Sequence, residues 1–186
     1  TNPEGWDSVV LHNIPSSSLT VYETHVADMT SHSTWGGSAE KAKLFTGLYE
    51  KGTKYTSGTT TVSTGFDHIV ELGVNAVQLI PIYDQANDER PDNDPTRTDG
   101  SVRLFNWGYN PLNYNSLDGI YSSNPYDGYA KIKEFKELVK AYNEQGINII
   151  MDVVYNHVSG LDGSNFDVLM PKYYIRYRSA VASNGS

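Results

Sequence analysis

Three short segments of the chain carry the apolar pattern of β-strands. Residues 19–26 alternate apolar and polar side chains with β-branched content, and residues 75–82 form a second strand-length run. Residues 147–154 are almost continuously apolar, which is typical of a parallel strand covered on both faces. The pattern therefore predicts three strands, the third of them buried.

Helical spacing predicts the elements between these strands. The clearest helix covers residues 126–144, and residues 66–72 form a shorter one that Gly73 ends. Gly146 ends the longer helix, and residues 39–48 predict one further short helix. The apolar face of the long helix consists of Ile132, Phe135, Leu138, Val139 and Tyr142.

The order of elements is strand, long loop, helix, repeated, with the extra length always after a strand. A (β/α)₈ barrel builds its active site from loops at the carboxyl ends of its strands. An open, doubly wound sheet produces the same order, so the pattern alone leaves both architectures open. No Gly-x-Gly-x-x-Gly phosphate loop follows any strand, which disfavours a nucleotide-binding fold.

Composition narrows the classes of function. The 186 residues have the length of one domain, 38% apolar content, a net charge of -8 and no cysteine. The sequence has no cluster of Lys and Arg residues of the kind that binds phosphate, which disfavours a nucleic-acid partner. No apolar run approaches the roughly 18 residues that span a bilayer. The 14 tyrosines and 3 tryptophans favour carbohydrate binding, although rings also pack in cores and on surfaces.

The third predicted strand ends in polar residues, Asp152-Val153-Val154-Tyr155-Asn156-His157. An ionised aspartate in an apolar strand is costly unless it is paired or hydrogen-bonded. Asp152 is therefore a candidate functional group, with a structural ion pair or a cap as the alternative. His25, at the end of the first strand, either lines the same site or has a structural role. The acidic residues between positions 84 and 99 indicate a solvated loop or an incidental cation site.

Two motifs resemble those of a known enzyme clan. The segment DVVYNH (152–157) resembles the first conserved motif of the α-amylase clan of glycoside hydrolases. The segment FNWGYNP (105–111) is similar to the Tyr-Asn-Trp-Gly-Tyr-Asp-Pro signature of type I pullulanases, with Phe105 and Asn110 as the two departures. Residues in three other stretches also resemble this family: 21–30, 44–53 and 166–177.

The resemblance implies a fold and an activity. The fold would be a (β/α)₈ TIM barrel, to which residues 1–186 contribute the N-terminal portion, with the first three strands and their long loops. The activity would be retaining hydrolysis of α-1,6-glucosidic branch linkages in pullulan, amylopectin or limit dextrins. The implied partners are the α-glucan substrate and the remaining part of the barrel as a second chain or segment, with no nucleic acid and no membrane. A secreted or cell-surface location is favoured over the cytoplasm, and any export signal would lie upstream.

The resemblance also assigns roles to residues. Tyr109 would stack under the glucose before the scissile bond, and His157 would bond the 6-hydroxyl of that glucose. Asp152 would support the site from below, paired with an arginine. Asn156 matches a position that binds calcium in many amylases, and no other cofactor is implied. The substrate-binding set is Tyr109, His157, Trp107 and Asn106.

The nucleophile and the acid/base of this clan have no counterparts in the sequence, so we expect the chain alone to be inactive. Retaining glycosidases need two carboxylates that flank the bond. One alternative is a non-catalytic fragment that binds α-glucan without cleaving it. Another is a related isoamylase or branching-type enzyme, although the Asn-Trp-Gly-Tyr core favours a pullulanase.

Overall fold

A computed structural model describes residues 2–85, 107–158, 160 and 164–174 of the chain. The strands assigned within these ranges are β1 (Val21–Thr24), β2 (Lys54–Ser57), β3 (Thr60–Ser63), β4 (Ala76–Leu79), β5 (Tyr83–Gln85), β6 (Pro111–Leu117) and β7 (Asn148–Met151). The α-helices are α1 (Asp28–Ser31), α2 (Gly65–Glu71), α3 (Gly128–Asn143) and α4 (Asn165–Leu169), and short 3₁₀ turns connect several of these elements.

A three-stranded parallel sheet in the order β1-β4-β7 forms the centre of the described structure. Val21 pairs with Ala76, which pairs with Asn148, and the same register continues to the other end of each strand. The three strands predicted from the sequence are therefore confirmed, each shorter than predicted. Because the strands are parallel, their carboxyl ends lie on one edge of the sheet.

The two principal helices also lie where the sequence predicts them. Helix α3 begins at its cap, Asp127, whose Oδ1 accepts the backbone N–H of Tyr129 at 2.9 Å. The chain leaves this helix through Gly146, at a φ of 75° that favours glycine. Helix α2 ends just before Gly73, as predicted.

The predicted helix over residues 39–48 is wrong. The segment instead forms two 3₁₀ turns, Ala39–Lys41 and Phe45–Tyr49. Between them Lys43 has a φ of 67°, in the left-handed region, which interrupts a continuous right-handed helix.

The main core lies between the sheet and helices α2 and α3. Tyr142 of α3 is 1% exposed, and its hydroxyl donates to the carbonyl of Leu48 at 2.9 Å, which ties the helix to the second 3₁₀ turn. Burial raises the pKa of this phenol above its ordinary value. None of the helices in the described ranges combines the length and apolar character needed to cross a bilayer. Buried apolar residues of this core include Phe45, Leu48, Phe66, Ile69, Val77, Leu79 and Leu138.

The third predicted strand is buried only in part: Ile147 and Val154, at its two ends, are each 3% exposed. All four residues of β7 are half-buried. Its Ile149 and Met151 pack against the helical core, whereas Ile150 lies in register with Gln78 and Glu23 on the opposite face of the sheet. Since alternate residues of a strand point to opposite faces, only one face of this sheet is covered by the described helices.

Two antiparallel pairs were not predicted. Strands β2 and β3 form an exposed hairpin with Lys54 opposite Ser63. Strands β5 and β6 pair with an irregular register, in which Tyr83 is opposite Leu117 and the next residue, Asp84, is opposite Asn113. Residues 114–116 therefore bulge out of the ladder. Bulges of this kind re-aim side chains, and they are frequent beside functional sites.

Candidate functional site

Three of the residues singled out in the sequence, Asp152, Tyr109 and His157, meet at the carboxyl edge of the parallel sheet. Asp152 directly follows β7, and its backbone N–H donates to the carbonyl of Leu79, the last residue of β4, at 3.2 Å. The loop of residues 107–109 lies against Pro81, two residues beyond the end of β4. The two motifs that are distant in sequence are thus brought together, as the resemblance to the α-amylase clan implied.

Gly108 allows this close approach. Its φ is 84°, and a side-chain carbon at this position would lie 2.2 Å from the carbonyl oxygen of Pro81. Any other residue would meet both the strained backbone conformation and the backbone of the neighbouring segment. The Trp-Gly-Tyr sequence therefore places Tyr109 by means of the glycine beside it.

Tyr109 is bonded directly to Asp152. Its hydroxyl donates to Oδ2 of the aspartate at 2.9 Å. This bond is the main reason that the pKa of the phenol is raised, with smaller contributions from burial and from the negative charges of Asp152 and Glu23. The phenol therefore stays protonated and donates, and its bond satisfies one oxygen of the half-buried carboxylate.

His157 also contacts Tyr109, through the backbone. Its Nε2 lies 2.9 Å from the carbonyl oxygen of Tyr109. A carbonyl can only accept, so Nε2 carries the proton, and in the neutral ring Nδ1 is the acceptor. The hydrogen bond to a glucose hydroxyl stays a prediction, and Nδ1 is the atom that could accept it without breaking the contact with Tyr109.

The bulge of β6 holds the segment that carries His157. The hydroxyl of Tyr114 donates to the carbonyl of His157, and the side-chain oxygen of Asn115 accepts from the hydroxyl of Tyr155 at 2.6 Å. Asn115 also accepts from Tyr83 at 2.9 Å. Burial raises the pKa of the Tyr83 phenol to about 12, with further contributions from its bond to Tyr155.

An aromatic cleft of about 400 Å³ adjoins these residues. The rings of Tyr114 and Tyr155 stack with centroids 6.3 Å apart, and Phe166 packs on Tyr114 at 5.2 Å. Flat, stiff rings beside amide and imidazole groups suit a sugar, which has apolar ring faces and polar edges. The lining residues are Tyr114, Tyr155, Asn156, His157, Val158, Phe166 and Tyr174.

Asn156 is exposed in this cleft. Calcium takes six to eight oxygen ligands, usually with several carboxylates. None of the residues that line the cleft with Asn156 has a carboxylate side chain. Within the described ranges, no cluster of three or more His, Asp or Glu side chains could hold a metal. The described residues thus do not make up a calcium site, and a role for Asn156 as one amide ligand stays a prediction.

The other two predicted binding residues, Trp107 and Asn106, lie on either side of the start of the described range 107–158. Trp107 is 63% exposed beside Gly108. Asn106 lies outside the described residues, and so does every arginine of the chain, including any partner for Asp152. Most of the acidic stretch 84–99 also lies outside them.

His25 has the structural role. It is 6% exposed, and its Nδ1 accepts the backbone N–H groups of Ala27 and Asp28. Its Nε2 lies 3.1 Å from the hydroxyl of Tyr121. His25 therefore holds the turn that follows β1.

Sequence reasoning missed several residues beside the site. Glu23 lies near enough to Tyr109 to influence its pKa, and it accepts from the amide of Gln78 at 3.2 Å. The strand alternation of β1 placed Glu23 on the face opposite the core and could have revealed it. Tyr114 and Asn115 gave no such signal, because their positions depend on the bulge in β6.

Comparison with known proteins assigns the family. Residues 43–167 match the family model of the alpha-amylase catalytic domain. The chain belongs to this family of glycoside hydrolases, whose fold is a TIM barrel. The three parallel strands are consistent with part of such a barrel, and the resemblance inferred from the two motifs is confirmed.

Among characterised relatives, the chain is similar to debranching enzymes. It is 34% identical to the pullulanase of Bacillus subtilis over 89% of this chain and 21% of that protein. It is 32% identical to the chloroplastic isoamylase 3 of Oryza sativa subsp. japonica over 89% of this chain and 19% of that protein. The chain thus spans about a fifth of the length of these relatives.

Solved structures agree with the assignment. A pullulanase from Paenibacillus barengoltzii, solved in complex with maltohexaose and alpha-cyclodextrin, superposes with a TM-score of 0.80 at 40% identity, over 96% of this chain and 26% of the other. The pullulanase from Bacillus acidopullulyticus gives a TM-score of 0.78 at 32% identity, over 95% of this chain and 20% of the other.

Proposed function

We propose that the complete protein, meaning these residues together with the remainder of the barrel, hydrolyses α-1,6-glucosidic branch linkages in α-glucans with net retention. In this proposal the three parallel strands β1, β4 and β7 are the first three strands of the barrel. The observation that carries the proposal is the contact of Tyr109 with both Asp152 and His157 at the carboxyl edge of the sheet. That contact joins the pullulanase-like motif to the clan motif.

The proposed role of Tyr109 is to support the sugar before the scissile bond. The residue is 44% exposed, while its hydroxyl is fixed by Asp152. A ring held at its edge by a hydrogen bond is a rigid platform, and rigid orientation of the substrate lowers the barrier to reaction. Trp107 and Asn106 belong to the same proposed binding loop.

His157 and the aromatic cleft extend the proposed binding surface. A protonated Nε2 fixed by the carbonyl of Tyr109 sets the orientation of the imidazole. The relatives solved with maltooligosaccharides support an α-glucan as the ligand class.

We propose that the nucleophile and the acid/base are supplied by other parts of the barrel. A retaining mechanism needs two carboxyl groups about 5–5.5 Å apart on either side of the bond. Asp152 already accepts from Tyr109, and Glu23 from Gln78, which suits supporting roles for both carboxylates. Residues 1–186 by themselves are then expected to release no reducing sugar from pullulan.

A test of the activity compares substrates that differ in linkage. The complete protein is incubated with pullulan, amylopectin and linear amylose, and reducing ends are measured with the anomeric configuration of the first product followed by NMR. We expect cleavage of pullulan and amylopectin with an α-anomeric product and no action on linear amylose. Cleavage of amylose alone, or an inverted product, contradicts the proposal.

A second candidate is an isoamylase-type debranching enzyme. The similar identities to a pullulanase and to an isoamylase, 34% and 32%, support it. Hydrolysis of amylopectin branches without hydrolysis of pullulan would select this candidate. Binding of maltooligosaccharides by the complete protein without cleavage of any of the substrates would instead indicate a non-catalytic binding protein.

A further inference from the structure

We propose that Asn115 is a positioning residue for the site, which fixes the segment 155–157 through the hydroxyl of Tyr155 and thereby holds His157 in place. The inference rests on the proposed function, because it gives His157 a contact with the glucan. Asn115 itself is not assigned any contact with substrate.

The bulge in β6 brings Asn115 to this segment. While β5 advances by one residue, from Tyr83 to Asp84, the register on β6 moves from Leu117 to Asn113. Asn115 lies in the middle of the extra residues with a φ of 61°. Asparagine adopts this left-handed conformation more readily than most residues, so its backbone fits the bulge and its side chain reaches out of the ladder.

The hydroxyl protons explain why the side-chain oxygen matters. The hydroxyls of Tyr83 and Tyr155 lie 2.9 Å from each other, and each lies within hydrogen-bond distance of Asn115 Oδ1. Two hydroxyls bring two protons, and only one proton can lie between the two oxygens. Every arrangement in which both protons are bonded within the cluster therefore uses Asn115 as an acceptor.

The link matters because Tyr155 stays largely exposed although its ring stacks on Tyr114. Tyr155 is 63% exposed, whereas its neighbour Tyr83 is 4% exposed and is held by the packing around it. The same short segment is also held by Tyr114, which donates to the carbonyl of His157, and by the contact of the imidazole with Tyr109. Without the Asn115 acceptor, the segment keeps its bonds on the His157 side, whereas Tyr155 keeps only the bond that it shares with the hydroxyl of Tyr83 and one of the two hydroxyl protons has no acceptor left in the cluster.

The competing explanation is that Asn115 serves only the backbone of the bulge. The two explanations make opposite predictions for two substitutions. Asn115→Gly keeps the left-handed conformation and removes the acceptor. Asn115→Asp keeps an acceptor for both hydroxyls and tolerates the same conformation.

The first measurement is kcat/KM on a branched α-glucan with the complete protein. We expect Asn115→Gly to lower it by about five- to tenfold, the scale of one lost hydrogen bond, with the larger part in kcat. Asn115→Asp should recover most of this loss. Because Asn115 acts through His157, the glycine substitution should cause little further loss in a His157→Ala background. A full additional loss in that background, or an equal loss in both Asn115 variants, overturns the proposal.

The second measurement does not depend on activity. The ¹⁵N resonances of the His157 ring are recorded in the complete protein, with His157→Ala used for assignment. We expect Asn115→Gly to shift them and Asn115→Asp to leave them closer to the wild type. If Asn115→Gly fails to fold, Tyr155→Phe removes the same link from the exposed side and should give the same shift.

The two measurements separate the two proposals. Expected ring shifts in a protein without debranching activity would refute the proposed function while supporting the positioning of His157 by Asn115. Normal debranching activity combined with an unchanged His157 resonance in both Asn115→Gly and Tyr155→Phe would refute the positioning role alone.

Discussion

Tyr109 and Asp152 are 43 residues apart in the chain and are joined by a hydrogen bond of 2.9 Å between the phenol and the carboxylate. The bond connects the segment just before β6 with the end of β7. The orientation of the exposed Tyr109 ring therefore depends on the half-buried carboxylate of Asp152. Substitutions can separate the contribution of the ring from that of the hydroxyl.

Substitution of Tyr109 should distinguish the ring from the hydroxyl. Tyr109→Phe keeps the ring and loses one hydrogen bond. We expect kcat/KM of the complete protein to fall by an amount that corresponds to about 0.5–1.5 kcal/mol of transition-state stabilisation. Tyr109→Ala also removes the stacking surface and should cost at least a further ~1 kcal/mol. Steady-state kinetics on pullulan checks both values. Equal activity of the Phe and Ala variants would show that the ring does not support the substrate.

His157→Ala should affect activity much more than stability. If His157 contacts the sugar at the cleavage position, kcat/KM should fall by an amount that corresponds to about 2–4 kcal/mol of transition-state stabilisation, the scale of one positioned transition-state contact. Stability should change by no more than about 1 kcal/mol, because the side chain is exposed. Both are measured on the complete protein, by kinetics on pullulan and by thermal unfolding.

His12→Ala is a matched control for this substitution. Its imidazole contacts the carbonyl of Asn143 at 2.9 Å, at the end of α3 and away from the cleft. This variant should lose some stability and keep its activity per folded molecule. A His157 variant that behaves in the same way would contradict the binding role of His157.

Gly108→Ala should misplace the binding loop. The new side-chain carbon would lie 2.2 Å from the carbonyl of Pro81 at a φ of 84°, so the loop has to move. We expect a loss of at least tenfold in kcat/KM, because Tyr109 shifts with it. Gly128→Ala is the control: nothing lies within 4 Å of its added carbon, at the start of α3. A Gly108 variant as active as the Gly128 variant would show that the close approach is not required.

Asp118 should make stability depend on pH. It is fully buried at 0% exposure, and its carboxylate accepts the backbone N–H groups of Ile120 and Gln85. Burial raises its pKa to about 6, although both hydrogen bonds oppose the shift. The unfolded pKa is about 3.9, so the folded protein binds more protons between these values. Stability should therefore fall as pH rises from about 4 to 6.

Asp118→Asn removes this titration. We expect the wild-type free energy of unfolding to lose about 1–3 kcal/mol across that interval, and the Asn variant to show a flatter dependence. The variant should be less stable than the wild type at pH 4, since an amide cannot accept both N–H groups with the same geometry. Urea unfolding at several pH values measures both effects. Parallel pH profiles for the two proteins would contradict the assignment.

The elements predicted correctly from the sequence are those with local causes. The three parallel strands and α3 have side-chain periodicities that belong to their own segments. The meeting of the two motifs was implied by the resemblance to the α-amylase clan, which assigns Tyr109, Asp152 and His157 to one site.

The features missed depend on partners distant in sequence. The hairpin of β2 and β3 is almost wholly exposed, so it has no alternation of buried and exposed positions to detect. The contact of His157 with Tyr109 uses a backbone carbonyl, which residue type does not encode. The position of Asn115 depends on a register shift between β5 and β6, to which neither strand alone gives a clue.

The irregular pairing of β5 with β6 has a consequence for protein engineering. Residues 114–116 resemble a loop in sequence. Deleting one of them would nevertheless turn the following strand residues to the other face of the sheet. The deletion would also separate Tyr114 and Asn115 from the segment that carries His157. The turn between β2 and β3 is the opposite case, since nothing lies within 4 Å of a carbon added at Gly58. Peptide tags and spectroscopic labels therefore belong in the β2–β3 turn, while the bulge has to keep its length.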